Sequence, residues 1–243
     1  MADPNPAPIP AADREPSGES AAPLRHAFTS ELEQLRIQVE VMGLQVEDAI
    51  KHATRVLLTG DVEMAEEVIA GDDAIDDMLV SLTGRCYELL GRQGPVASDL
   101  RLIVSILRIT SDLERAGDLC LRIAKLAPKQ RYIAANSETF AILKNMAYEA
   151  TDLFRCAVRS WATRDLSLAR SLEGRDDSMD SHNALLMEAI MRLEGPDCVP
   201  IAVNTLLAGR ALERIADHSV MIGERIRYLL TGDVDSISKE IGP

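Results

Sequence analysis

The sequence predicts an all-α protein made of two tandem three-helix bundles of long amphipathic helices. Three observations carry this expectation. Apolar residues recur at spacings of three and four through most of the chain, the period of a helix with one buried stripe. The 243 residues are 47% hydrophobic but only 3% aromatic, an aliphatic palette that suits helix-on-helix packing better than strands. Finally, a pattern of three periodic segments runs once and then restarts.

Residues 1–22 are rich in Ala, Pro, Ser and Asp, with no basic start and no apolar run. They read as a disordered tail and not as a signal peptide. The first repeat spans 24–127. Thr29 or Ser30 is placed to cap a first helix, whose seam runs Leu32, Leu35, Val39, Met42, Val46, Ala49, Ala53 and Leu57. Thr59-Gly-Asp61 ends it, and Asp61 caps the second helix, with Ala65, Val68, Asp72, Ile75, Leu79, Leu82, Cys86 and Leu89 on its seam. Gly91-Arg-Gln-Gly-Pro95 stops that helix. The third starts near Ala97, carries Ile103, Leu107, Thr110, Glu114, Gly117, Leu121 and Ala124, and gives way to the basic connector Lys125-Leu-Ala-Pro-Lys-Gln-Arg131.

The second repeat spans 137–232. Ser137 is the expected cap of a fourth helix with Phe140, Leu143, Ala147, Ala150, Phe154, Ala157 and Trp161 on its stripe. Thr163-Arg-Asp165 ends it as Thr59-Gly-Asp61 ends the first. A fifth helix holds Leu168, Leu172, Asp176, Met179, Leu186 and Ile190, and Gly195-Pro196 breaks it. A sixth runs from about Val199 to Leu230, closed by Thr231-Gly232, and 233–243 form a frayed C-terminal tail.

The net charge of −13 argues against nucleic acid or an anionic membrane as the main partner. It fits cation binding or docking onto a basic protein patch. No apolar run reaches transmembrane length. Cys86, Cys120, Cys156 and Cys198 form no C-x-x-C and read as small buried thiols in a reducing compartment. A cytoplasmic location is therefore expected.

Four acidic pairs at i,i+4 spacing stand out: Asp72/Asp76 and Glu114/Asp118 in the first repeat, Asp176/Asp180 and Glu213/Asp217 in the second. Like charges so placed share one helix face and destabilise an isolated helix. If the second and third helices of each repeat are neighbours, four carboxylates converge on one spot. Such oxygen-rich clusters suit Mg²⁺, Mn²⁺ or iron, so all eight residues are candidate metal ligands. The competing reading is that these acids are solvated, or paired with Arg115, Arg122, Arg214 and Arg225. His218, next to Asp217, reads as an ordinary partly buried histidine. A carboxylate-bridged redox enzyme is the alternative from another class, but no Glu-x-x-His occurs. No phosphate-cradling, dinucleotide or nucleophile-elbow motif occurs either. A metal-free helical adaptor is the third reading.

With these residues in place the chain resembles the PhoU family of regulators of phosphate-specific transport. The resemblance rests on Gln93-Gly-Pro-Val-Ala-Ser-Asp-Leu-Arg101, Leu113-Glu-Arg-Ala-Gly-Asp118, Leu212-Glu-Arg-Ile-Ala-Asp-His218 and Gly71-Asp-Asp-Ala-Ile-Asp76, and covers about 24–232. The inserted Gly94 and the missing Asp-Leu-Arg element in the second half depart from the family pattern. The resemblance implies a non-enzymatic cytoplasmic homodimer that binds metal through the acidic motifs. It also implies contact with the ATPase subunit of the phosphate transporter and with a sensor histidine kinase. In that role uptake is restrained, and the starvation response kept off, when phosphate is plentiful. Asp99 and Arg101, at the start of the third helix, are expected either to cap and fix that helix or to form part of a partner surface.

Overall fold

The computed structural model describes residues 18–235 apart from residue 96. Seven α-helices and no strand occur among them. They are α1 (Gly18–Thr59), α2 (Val62–Gln93), α3 (Ala97–Ala124), the one-turn α4 (Gln130–Ile133), α5 (Ser137–Thr163), α6 (Leu166–Met191) and α7 (Cys198–Thr231). None is long and apolar enough to cross a membrane.

The long apolar stripes decide the packing. α1, α3, α5 and α7 lie against one another as a central four-helix layer, with α2 covering α1 and α3, and α6 covering α5 and α7. The buried residues form one continuous cluster, so the two repeats share a single core. Burial follows the repeat closely. Leu35, Val39, Met42, Gly43, Val46 and Ile50 on α1 are buried, as are Thr139, Leu143, Met146, Ala147, Ala150 and Phe154 on α5. Ala65, Val68, Ile75 and Leu82 on α2 match Ala169, Leu172, Met179 and Leu186 on α6 in the same way. Ala116, Cys120 and Ile123 on α3 match Ile215, Ser219 and Ile222 on α7.

The turns after α1 and α5 share one solution. Gly60 takes φ +72° and Arg164 takes φ +53°, each reversing the chain after a helix. The following aspartate then caps the next helix: the Met64 amide donates to Asp61 at 3.1 Å, and the Ser167 and Leu168 amides donate to Asp165 at 2.8 and 3.0 Å.

Several sequence-based expectations change. Residues 1–17 and 236–243 of the two expected tails lie outside the described residues, and 18–22 already belong to α1. Thr29 is thus inside a helix, where its hydroxyl donates back to the Arg25 carbonyl at 3.0 Å instead of capping. The cap of α5 is Asn136, which accepts from the Thr139 amide at 3.0 Å, one residue before the expected Ser137. The basic connector folds as a 3-10 turn (Ala127–Lys129) followed by α4, because Pro128 at its start is compatible with a first turn. It serves as a strut: Gln130 donates to the Leu58 carbonyl at 3.2 Å.

That strut makes Gly60 sensitive. A Cβ there would sit 3.0 Å from the Gln130 Cβ, on top of the left-handed φ. Gly60→Ala is expected to cost about 1–2 kcal/mol in chemical denaturation. Arg164→Gly, at the matching turn, is expected to cause no loss.

Candidate functional site

α2 and α3 run in opposite directions, which sets Asp72 near Asp118 and Asp76 near Glu114. Close approach depends on Gly117, whose Cβ, if present, would meet Ile75 Cδ1 at 3.2 Å and lie 3.9 Å from Asp72 Oδ1. Asp72, Glu114 and Asp118 are half-buried at the edge of the apolar stripe, and Asp76 is exposed. Burial, reinforced by the charges of Asp118, Asp76 and Asp73, raises the Asp72 carboxyl above its ordinary value, with Lys125 pulling the other way. Burial and then Asp118 and Asp76 raise Glu114 likewise, against Arg115. The first repeat thus brings four carboxylates together, and burial with the neighbouring acids raises two of them, Asp72 and Glu114.

No three Asp, Glu, His or Cys side chains among the described residues stand close enough to form a ready ligand set. The chemistry of the four still fits a hard cation, since every donor is oxygen and the opposing charges of Lys125 and Arg115 leave Asp72 and Glu114 raised.

The second repeat treats its acids differently. Asp180 is exposed, and the side chain of Asp176 lies outside the described residues. Glu213 accepts from the Asn183 amide at 3.0 Å and from Arg210 at 2.6 Å. Asp217 is half-buried and also engaged. Between α5 and α6, His182 lies 2.9 Å from Glu149, and Arg175 donates to Asp152. Burial pushes the Asp152 carboxyl up, but Arg175 and Arg155 hold it below the usual carboxylate range. The i,i+4 spacing defines a helix face in both repeats. It does not define what the neighbouring helix presents to that face.

Glu47, Asp112 and Glu224 are the buried acids among the described residues, and the deepest of them, Asp112, belongs to none of the four pairs. Asp112 is 2% exposed at the contact of α3 with α7. His218 Nδ1 lies 3.1 Å from its Oδ1, and Arg225 donates to its Oδ2. The two partners are themselves 4% and 8% exposed. The sequence places His218 beside Asp217 as an ordinary histidine and assigns Asp112 no role. Its signal there is only that it precedes the first acidic motif.

In the register of the repeat, Ala211, Leu119 and Leu126 stand where Asp112, His218 and Arg225 stand. These shorter or apolar side chains floor a pocket of about 400 Å³ between α3 and α7, rimmed by Arg122, Lys125, Arg210 and Arg214. Pseudo-symmetric places in one interface therefore carry an ionic hub and a basic cleft. Arg101, at the start of α3, packs its guanidinium under Gly232 and ties that end to the close of α7, while Asp99 lies in the first turn.

Of the cysteines, Cys86 and Cys120 are buried and Cys156 and Cys198 are half-buried, and all four are free thiols. Burial pushes the Cys86 thiol up to about 11 and Cys120 higher still, which keeps both protonated and unreactive at neutral pH.

The sequence matches the profile of the PhoU domain twice, over residues 39–127 and 143–226. It is 31% identical over 207 residues to the phosphate-specific transport system accessory protein PhoU homolog of Pseudomonas putida, covering 84% of this chain and 81% of that protein. It is 35% identical over 188 residues to PhoU homolog 1 of Mycobacterium tuberculosis strain H37Rv, covering 76% and 84%. Among solved structures, PhoU from Pseudomonas aeruginosa superposes with a TM-score of 0.78 at 30% identity, over 85% of this chain and 100% of that one. The phosphate transport system regulatory protein PhoU from Streptococcus pneumoniae gives 0.76 at 29% identity, over 85% and 98%.

Two outcomes follow from the charges. Asp112→Ala leaves a buried guanidinium and imidazole without their carboxylate, and is expected to cost about 3–5 kcal/mol in urea denaturation. For Asp72 and Glu114, the raised native values mean that the folded chain binds more protons than the unfolded chain just above the ordinary carboxylate range. Their contribution to stability is present at mildly acid pH and lost as pH rises through the raised values. The double variant Asp72→Asn/Glu114→Gln escapes that loss, so its melting temperature should gain on wild type as pH goes from about 4 to 7.

Proposed function

The chain belongs to the PhoU family, and on that premise we propose that it is an accessory regulator of phosphate-specific transport, acting through protein contact and not catalysis. The observation that carries this reading is the cluster formed by Asp72, Asp76, Glu114 and Asp118. It gathers carboxylates across a helix pair in the family's acidic motifs, while the notable buried polar group, Asp112 with His218 and Arg225, is closed off inside the core. The finer proposal is a cytoplasmic homodimer that contacts the transporter's ATPase subunit and a sensor histidine kinase. It restrains uptake, and keeps the starvation response silent, while phosphate is abundant.

A hard cation, Mg²⁺, Mn²⁺ or iron, belongs in this reading at the first acidic station. Asp72, Asp76, Glu114 and Asp118 would hold it, directly or through water, and its charge would relieve their repulsion and fix α2 against α3. At the second station, a cation at Asp176, Asp180, Glu213 and Asp217 requires Glu213 to release Asn183 and Arg210.

The regulatory role is tested in a deletion strain. Loss of the gene should raise phosphate uptake and switch on the starvation response under phosphate-replete conditions, and co-purification should recover the transporter ATPase. Unchanged uptake together with an empty pull-down would sink the proposal. Separately, Mg²⁺ or Mn²⁺ should raise the melting temperature of the wild type and leave that of Asp72→Asn/Glu114→Gln nearly unmoved, with metal content measured on both proteins.

A further inference from the structure

The second repeat contains a guanidinium bound inside its own fold. Arg175 on α6 reaches across to α5, donating to Asp152 and lying 3.2 Å from the Cys156 sulfur. In the register fixed by the matched burial of α1 with α5 and α2 with α6, the first repeat places Gly71 at the position of Arg175. Asp48 stands at the position of Asp152, and His52 at that of Cys156. The acid is kept and the arginine is gone. A pocket of about 310 Å³ opens between α1 and α2 at this place, with Gln45, Asp48, His52, Glu67 and Gly71 in its wall. Nothing lies within 4 Å of where a Cβ on Gly71 would sit. The Asp48 side chain is 63% exposed, and its one ion-pair partner among the described residues is His52, at 3.7 Å.

The geometry points to this pocket as a receptor for an arginine side chain delivered by a partner protein. Its carboxylates, Asp48 and Glu67, have the charge and hydrogen-bonding capacity that a guanidinium fork needs. The apolar wall between the helices suits the aliphatic stem. The fold's own second copy shows the fit, since Arg175 spans the equivalent gap. A chain of net charge −13 also draws basic surfaces toward it. The inference rests on the reading above only in taking the partner to be a protein, and it names the chemistry of one contact.

The test uses the full chain and N-acetyl-arginine methylamide as probe, followed by backbone amide NMR. Saturable shifts are expected at Ala49, His52, Gly71 and Ala74, in the millimolar range of a single side chain. Asp48→Asn should weaken the probe by about tenfold or more. Gly71→Arg should abolish binding by supplying the guanidinium from within. It should also raise the melting temperature, and adding Asp48→Asn should remove most of that gain in a double-mutant cycle. In the deletion strain, Gly71→Arg should fail to restore normal uptake although it folds, whereas wild type restores it. That pattern separates this site from the general regulatory reading, which fails only if wild type itself does nothing. The proposal is overturned by shifts that persist in Gly71→Arg, or by the norleucine analogue binding equally well. It is also overturned if Mg²⁺ reproduces the shifts, or if Gly71→Arg turns a dimer into a monomer, which would make the pocket a contact between copies.

Discussion

Asp112 sits where α3 meets α7, with an imidazole and a guanidinium from α7 on its two oxygens. A carboxylate buried to this degree is tolerable only when both oxygens are matched, because an unpaired buried charge costs several kcal/mol. The contact therefore constrains the two repeats to one relative register. A slip of α7 along α3 would break two charged bonds in a dry interface, whereas a slip between purely apolar stripes would cost less. The shared core and the side-by-side central helices all sit around this crossing.

The duplication supplies the frame and the divergence supplies the chemistry. Buried positions repeat closely because both halves must fill the same space between the same kinds of helix. Polar positions are free to differ, and they do. Asp112, His218 and Arg225 correspond to Ala211, Leu119 and Leu126, so an ionic hub has a basic cleft as its counterpart. Arg175 corresponds to Gly71, so a filled gap has an open one as its counterpart. Burial and neighbouring acids raise Asp72 and Glu114 in the first repeat, while Glu213 of the second is held by Asn183 and Arg210. The divergence gives the two repeats different surfaces, where a perfectly repeated surface would present every site twice.

The acidic helices also show how a stable bundle carries unfavourable charge. Asp72 and Glu114 lie at the border of the apolar stripe, where the core supplies the stability and the acids subtract from it. Gly117 lets α2 close on α3 despite that repulsion. The repulsion is local, so a change in the charge of these acids acts directly on the packing of α2 against α3.

Periodicity in the amino-acid sequence was sufficient to determine the all-α fold, the six long helices and the repeat. Heptad-like spacing and cap residues such as Asp61 and Asp165 act within a few residues of themselves. The acidic pairs were legible for the same reason, since i,i+4 spacing fixes a shared face by helix geometry alone. Thr29 and Ser137 were misplaced as caps because helix boundaries depend on competing local hydrogen bonds, which the Arg25 carbonyl and Asn136 won. Only the tertiary structure decided which acids are buried, which are paired and which repel. Asp112 and His218 are separated by more than a whole repeat, Arg175 and Asp152 lie on different helices, and Gly71 signals nothing until its counterpart is seen reaching across a gap. Charge acquires its meaning from what a neighbouring helix brings within a few ångströms, and that distance exists only once the chain has packed.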